Sequence, residues 1–264
     1  HRAAHGFGPK RQFSHHMKTT HLTLALAAAL AASCSSIEKS APLKARPVAL
    51  SSFLEHTGEM KPQRERAPFA LVWTAPALPQ RRAAYDSIHV APVDTTHLRR
   101  PKSTLTTKVT GKATRRQPVR EFATLLRSSF THAFEKSPAP RLRVAATPRP
   151  GSVTLRLALV ELNPTDGAGN VVRTAAPYGG VLSPFTGGSI AIEGQVRDSV
   201  TGELLFEFAD TERDKTSVVS ARDFQPYEHA KRAVAEWAAQ FEELTRTSPD
   251  HRVKDSLFFT LNPL

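Results

Sequence analysis

Alternating apolar and polar positions predict five strands from residue 88 onward. The alternating segments are 88–93, 142–146, 153–159, 190–196 and 204–208. The turn 198–202 joins the last two into a hairpin, the clearest one in the sequence. In each strand, one face is expected to be buried and the other to be wetter.

Apolar residues at three- and four-residue steps predict two helices. The first has the apolar face Val119, Phe122, Leu126, Phe130 and Ala133, with Pro118 expected in its first turn. The second follows Pro226 and has the apolar stripe Tyr227, Ala230, Val234, Trp237, Phe241 and Leu244. Together these elements predict an α+β fold: a single domain with a mostly antiparallel or mixed β-sheet and two helices packed on one face.

The N-terminal part has the pattern of an export signal. Lys18 precedes a short apolar run, 22–32, which is shorter than the ~20 residues that a stable membrane span needs. The sequence Leu30-Ala31-Ala32-Ser33-Cys34 resembles the lipobox of bacterial lipoproteins, in which the cysteine is acylated after cleavage. An ordinary secretory signal with an incidental cysteine is the alternative.

The chain is therefore expected to have five parts. Residues 1–16 are interpreted as an upstream extension or artefact, 17–33 as a lipoprotein signal peptide, 34–80 as the lipidated N-terminus and tether, 81–248 as the α+β domain, and 249–264 as a C-terminal tail. The tether contains scattered prolines but also apolar residues such as Phe53 and Trp73. We expect at least one short strand or docked segment within it.

The chain is strongly basic, with a formal net charge of +12 and a single cysteine. Eight basic residues accumulate between Asp94 and Glu121 with no acid among them: Arg99, Arg100, Lys102, Lys108, Lys112, Arg115, Arg116 and Arg120. Such a stretch can bind an anionic lipid surface, and a solvated loop is the alternative. No aromatic side chain is interleaved with these charges, so the stretch does not favour nucleic acid.

Motifs for catalysis, cofactors or metals are missing from the sequence. The chain has neither a P-loop nor a Gly-x-Ser-x-Gly motif. His89, His132 and His229 are scattered and are expected at the surface or rim, and Glu242-Glu243 is expected on a solvated helix face. The loop 163–188 has glycine pairs around an apolar centre and is expected either to move toward a partner or bilayer or to fold onto the sheet edge.

The order of segments resembles a bacterial lipoprotein family labelled domain of unknown function 3313. The matching pieces are the lipobox at Cys34, Ser52-Phe53-Leu54 with Lys61-Pro62, 85–93, 153–162, 187–196, 198–204 and Trp237. The resemblance implies an envelope lipoprotein without an established activity, and it supplies no catalytic residues. The chain departs from the family pattern in 99–120 and 249–264.

These observations predict a membrane-anchored periplasmic lipoprotein that acts as a non-enzymatic accessory or binding module of the bacterial cell envelope. Ser35 after the cysteine resembles the sorting pattern for the outer membrane. The expected partners are the membrane, through the lipid on Cys34, and an envelope protein or an anionic lipid or polymer. Two alternatives stay open: an envelope hydrolase or transferase whose site forms only in three dimensions, and a small-ligand carrier with an apolar cavity between sheet and helices.

Overall fold

The computed structural model describes residues 49–63, 65–100, 112–164, 188–213 and 227–255, without the side chains of 112–115. The strands are β1 (Leu71–Thr74), β2 (Ser87–Val90), β3 (Arg143–Val144), β4 (Ser152–Asn163), β5 (Ser189–Asp198) and β6 (Leu204–Arg213). The helices are α1 (Leu78–Arg81), a 3₁₀ turn (Arg82–Ala84), α2 (Lys112–Lys136) and α3 (Glu228–Arg246). Within these ranges, no helix combines the length and apolarity needed to span a membrane.

The strands form one mixed sheet in the order β1-β6-β5-β4-β2-β3. The pairs from β1 to β4 along this order are antiparallel, whereas β2 is parallel to both β4 and β3. Helix α2 connects β2 to β3, which is the type of crossover that parallel neighbours require. The predicted α+β fold with a mixed sheet is confirmed.

The β5–β6 hairpin closes at the predicted turn. Both oxygens of Asp198 are used there: Oδ1 accepts bonds from the N–H groups of Val200 and Thr201 at 2.8 Å, and Oδ2 accepts the Tyr85 hydroxyl at 2.9 Å. Gly202 has φ +74°, a conformation that side chains with a Cβ rarely adopt. The turn chemistry therefore sets the register that pairs Gly194 with Phe208.

Helices α2 and α3 both pack on one face of the sheet, as predicted. Their apolar stripes meet at Phe241, whose ring centroid lies 5.7 Å from that of Phe130 and 5.4 Å from that of Phe208. The predicted position of Pro118 in the first turn of α2 is wrong, because the helix already begins at Lys112. As the seventh residue of the helix, Pro118 removes one i→i−4 hydrogen bond, since it has no backbone N–H.

The opposite face of the sheet is also covered, by a segment that we call the N-terminal strap (residues 49–63). Phe53, Leu54 and Met60 of the strap are buried against small side chains of the sheet: Ala158, Val160, Ala191 and Ala209. The prediction that this face would be wetter is wrong for the central strands. The predicted short strand in the tether is present as β1, so the packed part of the chain starts well before residue 81.

Candidate functional site

Two buried carboxylates lie on the strap side of the sheet, and buried acids often mark functional sites. Glu207 is fully buried on β6 and accepts the backbone N–H groups of Glu55 and His56 at 2.8 and 2.9 Å. Glu193 on β5 accepts the N–H of Ser51 at 2.8 Å. Each carboxylate thus accepts hydrogen bonds from the strap. These acids therefore have a structural role, which is to hold the strap on the sheet.

The strap is fixed further by side chains around these acids. The amide of Gln195 bridges the carbonyl of Phe53 and the carboxylate of Glu207, both at 2.9 Å. The His56 ring stacks on Trp73 of β1, with ring centroids 3.7 Å apart. The first residues of the described chain therefore belong to the domain and cannot act as a free linker.

A cavity of about 640 Å³ lies on the helix side, at one end of the sheet. This volume falls within the range of small-molecule sites, roughly 300–1,000 Å³. Strand ends form its floor, and α1 and the C-terminal end of α3 form its walls. The apolar lining includes Leu78, Ile88, Leu142, Val153, Leu205 and Phe241. Several of these side chains are almost inaccessible from outside the protein, so the cavity reaches into the core.

Four arginines also line the cavity, from four separate parts of the chain: Arg66, Arg82, Arg141 and Arg246. Only Arg246 has a carboxylate partner among the described residues, the buried Glu242 on the same helix at 3.1 Å. No acidic residue belongs to the described lining. The other three guanidinium groups consequently give this end of the cavity a net positive charge.

The positions of these arginines follow from the way α3 ends. Arg82 Nη2 donates to the carbonyl oxygens of Thr245 and Thr247 at 2.7 and 2.6 Å, and Arg141 Nε donates to that of Thr245 at 2.7 Å. Arg66 Nη1 donates to the carbonyl of Pro249 at 3.0 Å. Carbonyl groups at a helix C-terminus lack intrahelical donors and carry partial negative charge, so cations are stabilised there.

The helix end compensates the arginines only in part. It carries roughly half a negative charge, against three positive guanidinium groups. Burial, and then the nearby Arg66, lower the pKa of Arg82 below its usual value; burial, and then Arg82, lower that of Arg141. An anion in the cavity would act in the opposite direction and raise both pKa values.

The described lining has little capacity for acid–base or nucleophilic chemistry. It contains no histidine, cysteine or carboxylate, and burial raises the pKa of the lining residue Tyr85 to about 12. The Tyr85 hydroxyl is also held between Arg81 and Asp198, each at 2.9 Å. In the part of the chain that the structure covers, no group of three His, Cys, Asp or Glu residues could hold a metal ion.

The residues predicted from sequence lie elsewhere. Cys34, Lys102 and Lys108 fall outside the described residues, as does most of the loop 163–188. Lys112 and Arg115 lie at the start of α2. Arg116 and Arg120 are exposed on the second and third turns of the same helix. Arg99 and Arg100 follow β2, and the N–H of Arg99 bonds to Val160 of β4. Part of the basic stretch is thus helical, so the alternative of a solvated loop does not hold for residues 112–120. Binding of the stretch to an anionic surface stays a prediction.

Two further expectations are corrected by burial. His229 was expected at the surface but is buried at the start of α3, and this burial lowers its pKa to about 4. Glu242 was expected on a solvated face but is buried, where it accepts bonds from Ser137 at 2.7 Å and from Arg246. Neither residue was marked in the sequence by a motif, since the covering side chains come from other elements.

The cavity arginines had no signature in the sequence. They are spread over the sequence between residues 66 and 246, whereas the eight clustered cations lie in 99–120. These guanidinium groups form a site because they meet at the C-terminal end of α3, and they meet there only in the folded protein. The one related signal in the sequence was the apolar stripe predicted for α3, because such a stripe must pack against another part of the protein.

Comparison with known proteins places the chain in a family. The sequence model described as Protein of unknown function (DUF3313) matches residues 50–241. The chain belongs to this family. The match begins inside the N-terminal strap and ends in α3, so the family domain includes the strap as well as the sheet. No protein with a curated description matches the sequence.

Solved structures with a similar course of the chain include two bacterial proteins. The PelC dodecamer from Paraburkholderia phytofirmans matches with 12% identity and a TM-score of 0.34, over 65% of this chain and 94% of PelC. Protein XCC0632 from Xanthomonas campestris, of the family DUF330, matches with 15% identity and a TM-score of 0.36, over 65% of this chain and 89% of its own. Likeness at this level says nothing about a ligand or partner.

Proposed function

We propose that this DUF3313 protein is a non-enzymatic envelope lipoprotein that binds a small amphipathic ligand in the cavity at the end of its sheet. The observation that carries the proposal is the cavity itself, about 640 Å³ with a mainly apolar lining in which the described residues include no histidine, cysteine or carboxylate. Among the alternatives that the sequence left open, this geometry favours the small-ligand carrier over the hydrolase or transferase.

The proposed anchor is lipid on Cys34, which would hold the domain at the periplasmic face of the outer membrane. Fourteen residues lie between Cys34 and the start of the strap at residue 49. Even a fully extended chain of that length spans only roughly 50 Å, so the cavity would remain close to the membrane. Such a position suits a ligand that comes from a bilayer or is delivered to one.

The binding proposal is tested with a neutral apolar probe, N-phenyl-1-naphthylamine, whose fluorescence rises in apolar surroundings. The purified full chain should bind it at one site. Leu78→Trp places a large ring in the cavity wall and should weaken binding at least tenfold. Val200→Trp adds the same ring at an exposed hairpin position, 65% accessible and outside the lining, and should leave binding unchanged. Equal binding by both variants would contradict the proposal.

The anchor is tested separately by metabolic labelling. Radiolabelled fatty acid should be incorporated into the chain expressed in a Gram-negative bacterium and lost in Cys34→Ala. Label that persists in Cys34→Ala would contradict the assignment. Sucrose-gradient separation of the two membranes then tests the outer-membrane location, which requires that the chain sediment with outer-membrane markers.

A further inference from the structure

We infer that the ligand of the cavity is a single-chain amphiphile with an anionic head group, a carboxylate or a phosphate monoester, whose head lies against Arg66, Arg82 and Arg141. The inference rests on the proposed binding function and adds the chemical class of the ligand. It is carried by the charge of the cavity end, in which three guanidinium groups converge without a described carboxylate.

Guanidinium groups at this end retain donors beyond those used for the fold. An arginine has five N–H donors in a planar fork. Arg82 bonds to the end of α3 through Nη2 only, and Arg141 does so through Nε, with Nη1 bonded to the carbonyls of Arg82 and Tyr85 at 3.0 and 3.2 Å. The Nε and Nη1 donors of Arg82 and the Nη2 donors of Arg141 thus have no acceptor among the described residues.

A planar anion fits such a set of donors. Carboxylates and phosphates accept paired bonds from the guanidinium fork, and these charge-assisted bonds are roughly twice as strong as neutral ones. A helix-capping role alone explains the bonds to Thr245 and Thr247, but it does not explain three cations converging at one helix end. An acidic head group would supply the missing counter-charge.

The rest of the cavity suits a single apolar tail. Beyond the arginines, the walls are formed by aliphatic and aromatic side chains of α1, the strand ends and α3, including Leu78, Val196, Phe206 and Leu244. Each methylene buried against such walls contributes about 0.8 kcal/mol, which corresponds to roughly fourfold in affinity. Affinity should therefore rise with chain length until the tail fills the cavity.

The test compares ligands that share a tail and differ in head group. Dodecanoate, dodecyl phosphate, dodecanol and dodecyltrimethylammonium are titrated below their micellar concentrations into the full chain carrying Cys34→Ser, with displacement of N-phenyl-1-naphthylamine as the readout. We expect at least one of the two anions to bind about 10- to 100-fold more tightly than dodecanol, as bonds to charged groups predict. The cation should bind more weakly than the alcohol. Which of the anions binds more tightly separates a fatty acid from a phosphate head group.

Arginine variants then locate the head group. Arg66→Met, which removes one contact to an exposed carbonyl, and Arg82→Met should each lower the anion preference several-fold and leave dodecanol unchanged, whereas Arg82→Lys should keep part of it. Arg120→Met removes the same charge from the exposed face of α2 and serves as the matched control.

Two results would overturn the inference without touching the proposed function: dodecanol binding as tightly as both anions, or an anion preference that survives both Arg66→Met and Arg82→Met. Loss of the preference in Arg120→Met would assign it to the basic stretch. If neither the neutral probe nor any of the four ligands bound, the proposed function would fail as well.

Discussion

Replacing Glu207 by alanine should release the N-terminal strap from the sheet. The carboxylate is fully buried and accepts the N–H groups of Glu55 and His56, together with the amide of Gln195. Without it, two backbone donors under the strap lose their acceptor, and each shielded donor costs about 1–3 kcal/mol. We therefore expect the free energy of unfolding to fall by about 2–6 kcal/mol.

Urea unfolding followed by circular dichroism measures this loss. Glu65→Ala is the matched control, because Glu65 is exposed and such surface changes usually stay within about 0.5 kcal/mol. Hydrogen exchange gives a local readout: the amides of Glu55 and His56 should exchange much faster in Glu207→Ala, while those in α3 should keep most of their protection. If both variants had the same unfolding midpoint, or if these two amides stayed protected, the carboxylate would not hold the strap.

Two further predictions concern the core and its pH response. In Gly194→Ala the new Cβ would lie 2.1 Å from the ring of Phe208, and the overpacking should cost roughly 1–3 kcal/mol or more in urea unfolding; Gly58→Ala, with open space around it, should be close to neutral. Because burial lowers the pKa of His229 to about 4, below the usual 6.5, the unfolded chain takes up a proton first as the pH falls. The free energy of unfolding should therefore fall by about 3 kcal/mol between pH 6.5 and 4. Urea unfolding of His229→Gln over the same pH range should not show this part of the decrease.

Local patterns predicted the elements of this fold that depend on neighbouring residues. The β5–β6 hairpin follows from alternation and from Asp198 in the turn, and α3 follows from its apolar stripe. The start of α2 was placed too late because Pro118 was taken as a first-turn residue, although the helix continues for six residues before it. A proline indicates that a helix start is near, but it does not identify the first residue of the helix.

Long-range arrangement decides the remaining features, and the sequence alone could not supply it. From its place in the alternating pattern, Glu207 would be assigned to a solvated strand face. In the folded protein it is covered by the strap, which lies more than 140 residues earlier in the chain. Likewise, Arg66 and Arg141 meet only because both reach the C-terminal end of α3. The cavity forms where these distant segments meet. The sequence predicts it only as the apolar cavity that the ligand-carrier alternative requires.

The state of the ligand's head group tests the central claim most directly. Dodecanoate labelled with ¹³C at the carboxyl carbon is bound to the full chain, and its carboxyl resonance is followed by NMR as the pH is lowered. Because Arg66, Arg82 and Arg141 face the head group in our account, the pKa of the bound acid should lie below that of free dodecanoate, and Arg82→Met should raise it. A pKa at or above the free value, as burial in an apolar site without counter-charge would produce, would contradict the account.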